Sequence, residues 1–321
     1  MRNANHNSVS LALAGDVMIG RLVNEVIGQK GYAYVWGNIL PILHEHDLVM
    51  INLETTLTMN EQAVPKVFNF KSNPEHAAVL KEGNVSIVNL ANNHSLDFGN
   101  QGLVDTLHAL DTAHIMHVGA GLNNMQAQNP LIIQRNGITI GIVGATDNEP
   151  DWQAGPHKPG VFYFDVHNCT SVANVIKQLK PRVDIVILSL HWGPNMRERP
   201  TQHYIDCAHA FIDAGADIIH GHSAHLFQGI ELYNNKLILY DTGDFVDDYQ
   251  VDEQLRNDRS FLFSLTLAKS GVQQLKLIPV VISNMQVNIA TGSQARDILV
   301  RMKRLSAEFG TKITNDTIYL H

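Results

Sequence analysis

A set of carboxylate, amide and imidazole side chains follows short apolar segments throughout this sequence. The set comprises Asp16, Glu54, Asn93, His94, His191, His222, His225 and Asp244. Nitrogen and oxygen donors of this kind suit zinc, manganese or iron. The chain's two cysteines, Cys169 and Cys207, are too few for a disulfide framework or a thiolate zinc site, which fits a reducing compartment. The sequence therefore predicts a site for one or two divalent metal ions.

The same residues could carry out hydrolysis. A two-ion centre needs a carboxylate that bridges ions held about 3.5–4 Å apart, and Glu54 or Asp16 could serve. His94 adjoins a candidate ligand and could protonate a leaving group. Trp192 and Asp97 are expected to form a wall of the site or to orient its ligands. A metal-dependent hydrolase is one function that such a set predicts.

Each of these residues, taken alone, has a simpler explanation. Asp16 follows a glycine and could cap a helix, and Glu54 could be a solvated loop residue. The segment that begins at Asn52 holds polar groups that would be hard to leave unpaired if they are buried. His191 could be a core histidine, whereas His222 and the nearby His225 have little packing value. The histidine pair is therefore the strongest single sign of metal binding.

Alternating strands and helices are predicted to bring the set together. Apolar strands are predicted at 9–14, 48–51, 85–90, 184–190, 216–219 and 237–240, and helices at 74–82, 101–110, 171–179 and 202–214. Hairpins are predicted within 131–143, 228–240 and 260–282. The pattern indicates an α/β protein with mixed sheets, and the carboxyl ends of its parallel strands meet at one edge.

The chain has no obvious linker, so one domain is predicted over residues 1–321. The core of this domain is predicted at about 8–285. A lid is predicted at about 148–160, and an outer helix at about 294–309. The protein has 321 residues, of which 45% are hydrophobic, and a net charge of −8 without basic clusters, which argues against nucleic acid as a partner. The apolar segment at 9–14 is too short for a signal peptide, and no segment approaches the ~20 residues of a membrane helix. A cytoplasmic protein without a membrane anchor is expected, and the oligomeric state stays open.

Five motifs together resemble one known family. They read "LAGDVMIGR", "NLETTL", "NLANNHSLDFG", "LHWG" and "GADIIHGHSAHLFQGIELYNNKLILYDTGDFVDD", in this order. The combination resembles the CapA-type capsule-synthesis proteins, named for poly-γ-glutamate biosynthesis. That family is similar to the calcineurin-like metallophosphoesterases, which implies a four-layer α-β-β-α sandwich of two mixed sheets.

The resemblance also implies roles for the residues. Asp16 would be the first metal aspartate, Glu54 the bridging acid, Asn93 a ligand and His94 the acid, while His191, His222 and His225 would supply the imidazoles. It implies a small-molecule or polymeric anionic substrate, a phosphoester or a γ-glutamyl amide. Arg21, in the turn after Asp16, could hold an anionic substrate or could be an ordinary surface arginine.

The sequence departs from the family pattern at several positions. The phosphoesterase opening is Asp-x-His, but this chain has Met18 in place of the histidine. One extra residue separates His222 from His225, and Asp244 stands where many relatives carry asparagine. Asp244 could add the ligand that Met18 does not supply. A non-catalytic assembly or binding protein that retains the fold is therefore the alternative to a hydrolase. Many relatives also begin with a membrane anchor, for which this sequence gives no signal.

Overall fold

The computed structural model describes residues 8–320. The strands are β1 (Val9–Val17), β2 (Leu48–Leu53), β3 (Thr56–Leu57), β4 (Lys71–Ser72), β5 (Ile87–Asn89), β6 (Met116–Val118), β7 (Ala120–Gly121), β8 (Leu131–Arg135), β9 (Ile138–Thr146), β10 (Gly160–Val161), β11 (Ile185–His191), β12 (Ile218–His222), β13 (Ile230–Tyr233), β14 (Lys236–Leu239), β15 (Asp244–Val246), β16 (Arg259–Ala268), β17 (Gly271–Ser283), β18 (Gln286–Ile289) and β19 (Thr317–Tyr319). The helices are α1 (Arg21–Lys30), α2 (Leu40–Leu43), α3 (Ala77–Glu82), α4 (Gly99–Thr112), α5 (Asn124–Gln128), α6 (Thr170–Leu179), α7 (Gln202–Asp213) and α8 (Gly292–Ala307). Short 3₁₀ helices cover Tyr34–Ile39, Pro74–His76, Pro150–Trp152 and Lys180–Arg182.

Two mixed sheets contain most of these strands. The first has the order β18-β17-β16-β1-β2-β5-β6, with β15 also paired to β1 and β19 to β17. Its strands β1, β2, β5 and β6 are parallel, and β16, β17 and β18 are antiparallel. The second sheet has the order β13-β14-β12-β11-β9-β8, with a parallel centre and antiparallel strands at both edges. The predicted hairpins are the antiparallel pairs β8–β9, β13–β14 and β16–β17.

The period-two alternation of the strands separates the core into layers. In β1, Leu11 and Leu13 pack between the two sheets, whereas Ala12 and Ala14 face the helices on the outer side of the first sheet. The second sheet shows the same alternation: Ile187 joins the layer between the sheets, and Leu188 packs under α6 and α7. The chain therefore forms the predicted four-layer α-β-β-α sandwich.

The last helix was expected to pack on the outside, and this expectation is wrong. Helix α8 contacts β13 of the second sheet and β17 of the first. Its apolar residues Ile298, Met302 and Leu305 are buried in the layer between the sheets. Strands β18 and β19 extend the first sheet beyond the predicted core boundary at residue 285. The predicted domain runs from residue 1 to residue 321, and residues 1–7 and 321 lie outside the described residues.

Cys169 and Cys207 form a disulfide bond, with Cα atoms 6.1 Å apart. The bond joins the residue before α6 to a residue within α7, two helices that pack together outside the second sheet. The interpretation of the low cysteine count as a sign of a reducing compartment therefore loses its support. Thirty-eight positions separate the two residues, so only the helix packing reveals the pair. None of the described helices has the length and apolar character needed to cross a membrane.

Candidate metal centre

The carboxyl ends of parallel strands from both sheets meet at one place. Asp16, near the end of β1, is the register partner of Asn52 in β2 and of Asp244 in β15. His191 ends β11 and is the register partner of His222, which ends β12. Because register partners in a parallel sheet project to the same face, the two sheets direct these side chains toward each other. The predicted convergence of distant polar residues is thus present in the fold.

Asp16 forms a first possible ligand group with two histidines. Its Oδ1 atom lies 3.6 Å from Nδ1 of His191 and 3.8 Å from Nδ1 of His222. The two imidazole Nδ1 atoms are only 3.0 Å apart, so at most one of them can carry a proton in that contact. All three residues are buried. The ligand atoms lie within 4.8 Å of one another, which is close enough to hold one ion.

Asp16 forms a second group through its other oxygen. Its Oδ2 atom lies 3.7 Å from Nδ1 of His225, which in turn lies 2.8 Å from Oδ1 of Asp244. These three residues are also buried and meet the same distance condition. Asp16 is therefore common to both groups. This shared position makes Asp16 one possible bridge between two ions, and the bridging role that the resemblance implies for Glu54 stays a prediction.

Several buried oxygen atoms around these groups have no hydrogen-bond partner among the described residues. They are both carboxylate oxygens of Glu54, Oδ1 of Asn93 and Oδ2 of Asp244. Such atoms cost about 1–3 kcal/mol each when left unsatisfied, and more when charged. The Glu54 Oε1 atom is 3.9 Å from Nε2 of His191 in the first group, and Asp244 belongs to the second group. A divalent cation would satisfy them, and the donor set therefore fits a metal centre.

The pKa values in this cluster reflect its burial and crowding. Burial raises the pKa of the Glu54 carboxyl well above its usual range, and the neighbouring charge of Asp16 adds to the increase. Burial alone would raise the pKa of Asp16, but hydrogen bonding to His191 and the charges of His191, His222 and His225 hold it below its usual range. Burial opposes the charged form of His225, yet Asp244 keeps its pKa well above normal. Without a metal ion, the cluster therefore retains protons at Glu54 and His225.

His94 lies beside the ligand groups and is oriented by Asp97. Its Nδ1 atom is 2.6 Å from Oδ2 of Asp97, and its ring stacks on Phe70 with centroids 3.8 Å apart. Burial lowers the pKa of His94 to about 4, although Asp97 favours the charged form. The neutral ring donates its Nδ1–H to Asp97, which leaves Nε2 3.7 Å from Oε1 of Glu54. Asp97 therefore fixes the orientation of the His94 ring.

The additional predicted residues have different positions. Asn52 donates from Nδ2 to Oδ1 of Asp16 over 2.7 Å, so it holds the shared carboxylate in place. The Nε atom of Arg21 lies 3.3 Å from Oδ2 of Asp248, and its predicted contact with an anion stays a prediction. The expectation for Trp192 is wrong: its indole N–H donates to the Tyr240 carbonyl, and the ring packs in the outer core. Adjacent residues of an extended chain point to opposite faces, so His191 and Trp192 cannot both face the centre.

The sequence analysis missed several groups that orient the candidate ligands. His220, two residues before His222, contacts the Ala14 carbonyl through Nε2 over 2.9 Å. Ser189 places its hydroxyl 3.0 Å from Nε2 of His222 and 3.3 Å from Nδ1 of His220. The backbone N–H of Ser223 donates to Oδ2 of Asp16 over 3.2 Å. The sequence His220-Gly221-His222 could have predicted the position of His220, because alternate residues of a strand place their side chains on the same face.

Comparison with known proteins finds a family and several relatives that resemble this chain over most of its length. The family described as bacterial capsule synthesis protein PGA_cap matches residues 10–249. The chain is 34% identical to the PGA biosynthesis protein CapA of Bacillus subtilis, over 96% of this chain and 79% of that protein. It is 31% identical to a probable polyglutamine synthesis accessory protein of Mycobacterium tuberculosis, over 96% and 94% of the two chains.

Solved structures show the fold. A Staphylococcus aureus protein assigned as a 5′-nucleotidase matches 92% of this chain with a TM-score of 0.51 and 13% identity. The sulfate thiohydrolase SoxB of Thermus thermophilus matches 94% with a TM-score of 0.50 and 12% identity. The chain spans 58% and 60% of the lengths of these two proteins. The fold is that of the calcineurin-like metallophosphoesterases, and the chain belongs to the bacterial capsule synthesis protein family PGA_cap.

Proposed function

We propose that the protein is a metal-dependent hydrolase of phosphoesters that acts in the biosynthesis of a poly-γ-glutamate type of capsule. The observation that carries this proposal is the sharing of Asp16 by two buried ligand groups beside oxygens without partners. A purely structural role would not require a buried cluster of acids and imidazoles that is so costly to desolvate. Membership of the family supports the link to capsule biosynthesis.

The proposed roles follow from the positions of the side chains. Asp16 would hold two divalent ions, one with His191 and His222 and the other with His225 and Asp244. The unpartnered oxygens of Asn93 and Glu54 are available as further ligands. Nitrogen and oxygen donors suit manganese, zinc or iron. When bound, such ions lower the pKa of a water molecule toward neutrality and polarise a phosphoryl oxygen.

His94 would transfer the proton in this reaction. Its Nδ1 atom is committed to Asp97, and its Nε2 atom lies 3.7 Å from Oε1 of Glu54 without a hydrogen-bond partner among residues 8–320. Asp97 fixes the orientation of the ring and would stabilise the imidazolium that forms when Nε2 accepts the proton released by the attacking water. The proton can then pass from Nε2 to the leaving group. Such general acid catalysis contributes about 10²–10⁴ in rate.

One observation favours a non-catalytic binding protein as the second candidate. Met18, which replaces the histidine of the phosphoesterase opening, is fully buried in the outer core, and its sulfur accepts the N–H of Gly20. The residue therefore supplies no ligand. Asp244 offsets this loss because its carboxylate completes the second ligand group. The presence of that group is the reason to prefer the hydrolase.

Metal analysis and an assay with p-nitrophenyl phosphate and manganese distinguish the two candidates. We expect the wild-type protein to bind metal and to hydrolyse the ester. His94→Ala should retain the metal but lose about 10²–10⁴ in turnover, because it lacks the proton donor. His108→Ala, on the exposed face of α4, is the matched control and should match the wild type. If the wild-type protein binds no metal and does not hydrolyse the ester, the binding role is favoured over the hydrolase. If His94→Ala is fully active, the proposed role of His94 is wrong.

A further inference from the structure

A cavity of about 560 Å³ opens beside the candidate metal centre. Its inner wall includes Asn93, His94 and His225, which belong to that centre or adjoin it. Its outer wall includes Val67 and Phe68. A molecule that places one group at the metal centre must therefore extend along the outer wall. The chemistry of that wall decides which substrates fit.

The outer wall is apolar and aromatic. Phe70 is buried against the ring of His94, while Phe68 and Val67 remain 56% and 89% exposed. Tyr249 completes the aromatic lining, with its ring centroid 5.0 Å from that of His225. Exposed apolar side chains at the mouth of a polar site are typical of a ligand-binding surface. Aromatic rings there provide flat surfaces on which a planar or apolar group can stack.

Two positive charges near the mouth, those of Lys66 and Arg21, already have acidic partners. Lys66 is the only lysine or arginine among the described residues that line the cavity. Its Nζ atom lies 3.1 Å from Oδ1 of Asp97 and 3.6 Å from Oε1 of Glu149. The guanidinium of Arg21 lies over the ring of Phe68, and its Nε is 3.3 Å from Oδ2 of Asp248. A polymer with a carboxylate on every residue would meet no uncompensated cation along this path.

We propose that the wall formed by Val67, Phe68 and Phe70 is a subsite for the apolar or planar leaving group of a small substrate whose negative charge is confined to the group at the metal centre. The inference rests on the proposed hydrolase and deepens it by naming the substrate class. A compact ester fits the cavity, whereas a polyanionic chain does not match its charge. Phe68 is the residue that determines this specificity.

Binding of non-hydrolysable ligands tests the subsite without relying on turnover. Calorimetry in the presence of manganese compares phenylphosphonate, methylphosphonate and a γ-glutamyl tripeptide. We expect phenylphosphonate to bind at least about tenfold more tightly than methylphosphonate, because only the phenyl group reaches the apolar wall. Phe68→Ala should weaken phenylphosphonate binding about three- to tenfold and leave methylphosphonate binding unchanged. Tyr319→Ala removes an aromatic ring that is 60% exposed in β19, outside the cavity lining, and should have no effect.

The outcomes separate the subsite from the proposed reaction. The subsite is overturned if phenylphosphonate does not bind, or if it binds no more tightly than methylphosphonate. It is also overturned if the glutamyl tripeptide binds more tightly, or if Phe68→Ala weakens the binding of both phosphonates equally. Selective binding of phenylphosphonate that depends on Phe68 supports it. If that selective binding occurs and p-nitrophenyl phosphate is not hydrolysed, the subsite stands and the proposed hydrolase is wrong.

Discussion

Replacing Glu54 by glutamine tests whether the buried acids of the candidate metal centre destabilise the metal-free protein. The Glu54 side chain is fully buried, and neither of its oxygens has a hydrogen-bond partner among the described residues. Burial and the charge of Asp16 raise its pKa well above the usual range. An acid with a raised folded-state pKa stays neutral in the folded protein while it ionises in the unfolded chain. The stability is therefore fully present below the unfolded-state pKa and is lost as the pH rises from there through the folded-state pKa. The metal-free protein should therefore lose stability above about pH 4.5, the ordinary pKa of this carboxyl group.

The size of the effect follows from proton linkage. Keeping a carboxyl group protonated at pH 7, when its ordinary pKa is 4.5, costs at most about 3 kcal/mol. Glutamine has nearly the same volume and also leaves its polar atoms unpaired, so the other contributions largely cancel. In the metal-free state, Glu54→Gln should be more stable than the wild type by up to about 3 kcal/mol at pH 7. For a chain of this length, that corresponds to a rise of about 4 °C in Tm.

Thermal and urea unfolding in EDTA at pH 5 and pH 7 measure the difference. The advantage of Glu54→Gln should grow by about 1.4 kcal/mol per pH unit until Glu54 ionises in the folded wild type. Added manganese should reverse the order, because the wild-type carboxylate is available as a ligand. Glu25→Gln, an exposed change in α1, serves as the control for removing one negative charge. A variant that is no more stable than the wild type at pH 7 in EDTA would refute the reasoning.

Two further predictions concern proton competition and backbone contacts. Stabilisation of the wild type by manganese should increase from pH 5 to pH 8, because Glu54 and His225 have raised pKa values and must release protons to bind the ion. If manganese raises Tm by the same amount at every pH from 5 to 8, this prediction is wrong. Gly15→Ala should destabilise the protein by about 3 kcal/mol or more in urea unfolding, since a Cβ atom there would lie 1.7 Å from the Gly243 carbonyl oxygen. Gly28→Ala, with no atom within 4 Å of its Cβ, should be neutral or stabilising, and equal losses in both variants would refute the argument.

Apolar runs and helical periodicity were sufficient to predict the main elements. The strand predicted at 184–190 is Ile185–His191, and the helix predicted at 101–110 is Gly99–Thr112. These segments owe their conformation to local pattern and to burial on one or both faces. The disulfide and the position of α8 depend on packing between distant segments, which a single sequence does not encode in its spacing.

The candidate site also contains some residues that the sequence reveals and others that it does not. Residues at strand ends, such as Asp16 and His191, were identifiable because parallel strands end at a common edge. Period-two alternation also holds at the end of β11, where it places Trp192 on the face opposite His191. The proposed role of Phe68 could not be predicted, because its exposure in the cavity wall depends on how residues 66–70 fold over the site.

The position of Asp244 shows how the fold accommodates the departure at Met18. Strand β15 has only three residues and follows the turn at Gly243, so no periodic pattern reveals it. It pairs in parallel with β1 and places Asp244 in register with Asp16, on the same face of the sheet. The second ligand group thus takes its third member from a neighbouring strand instead of from two residues further along β1. Because that member is a carboxylate and not an imidazole, the group should favour ions that prefer oxygen donors, such as manganese, over zinc.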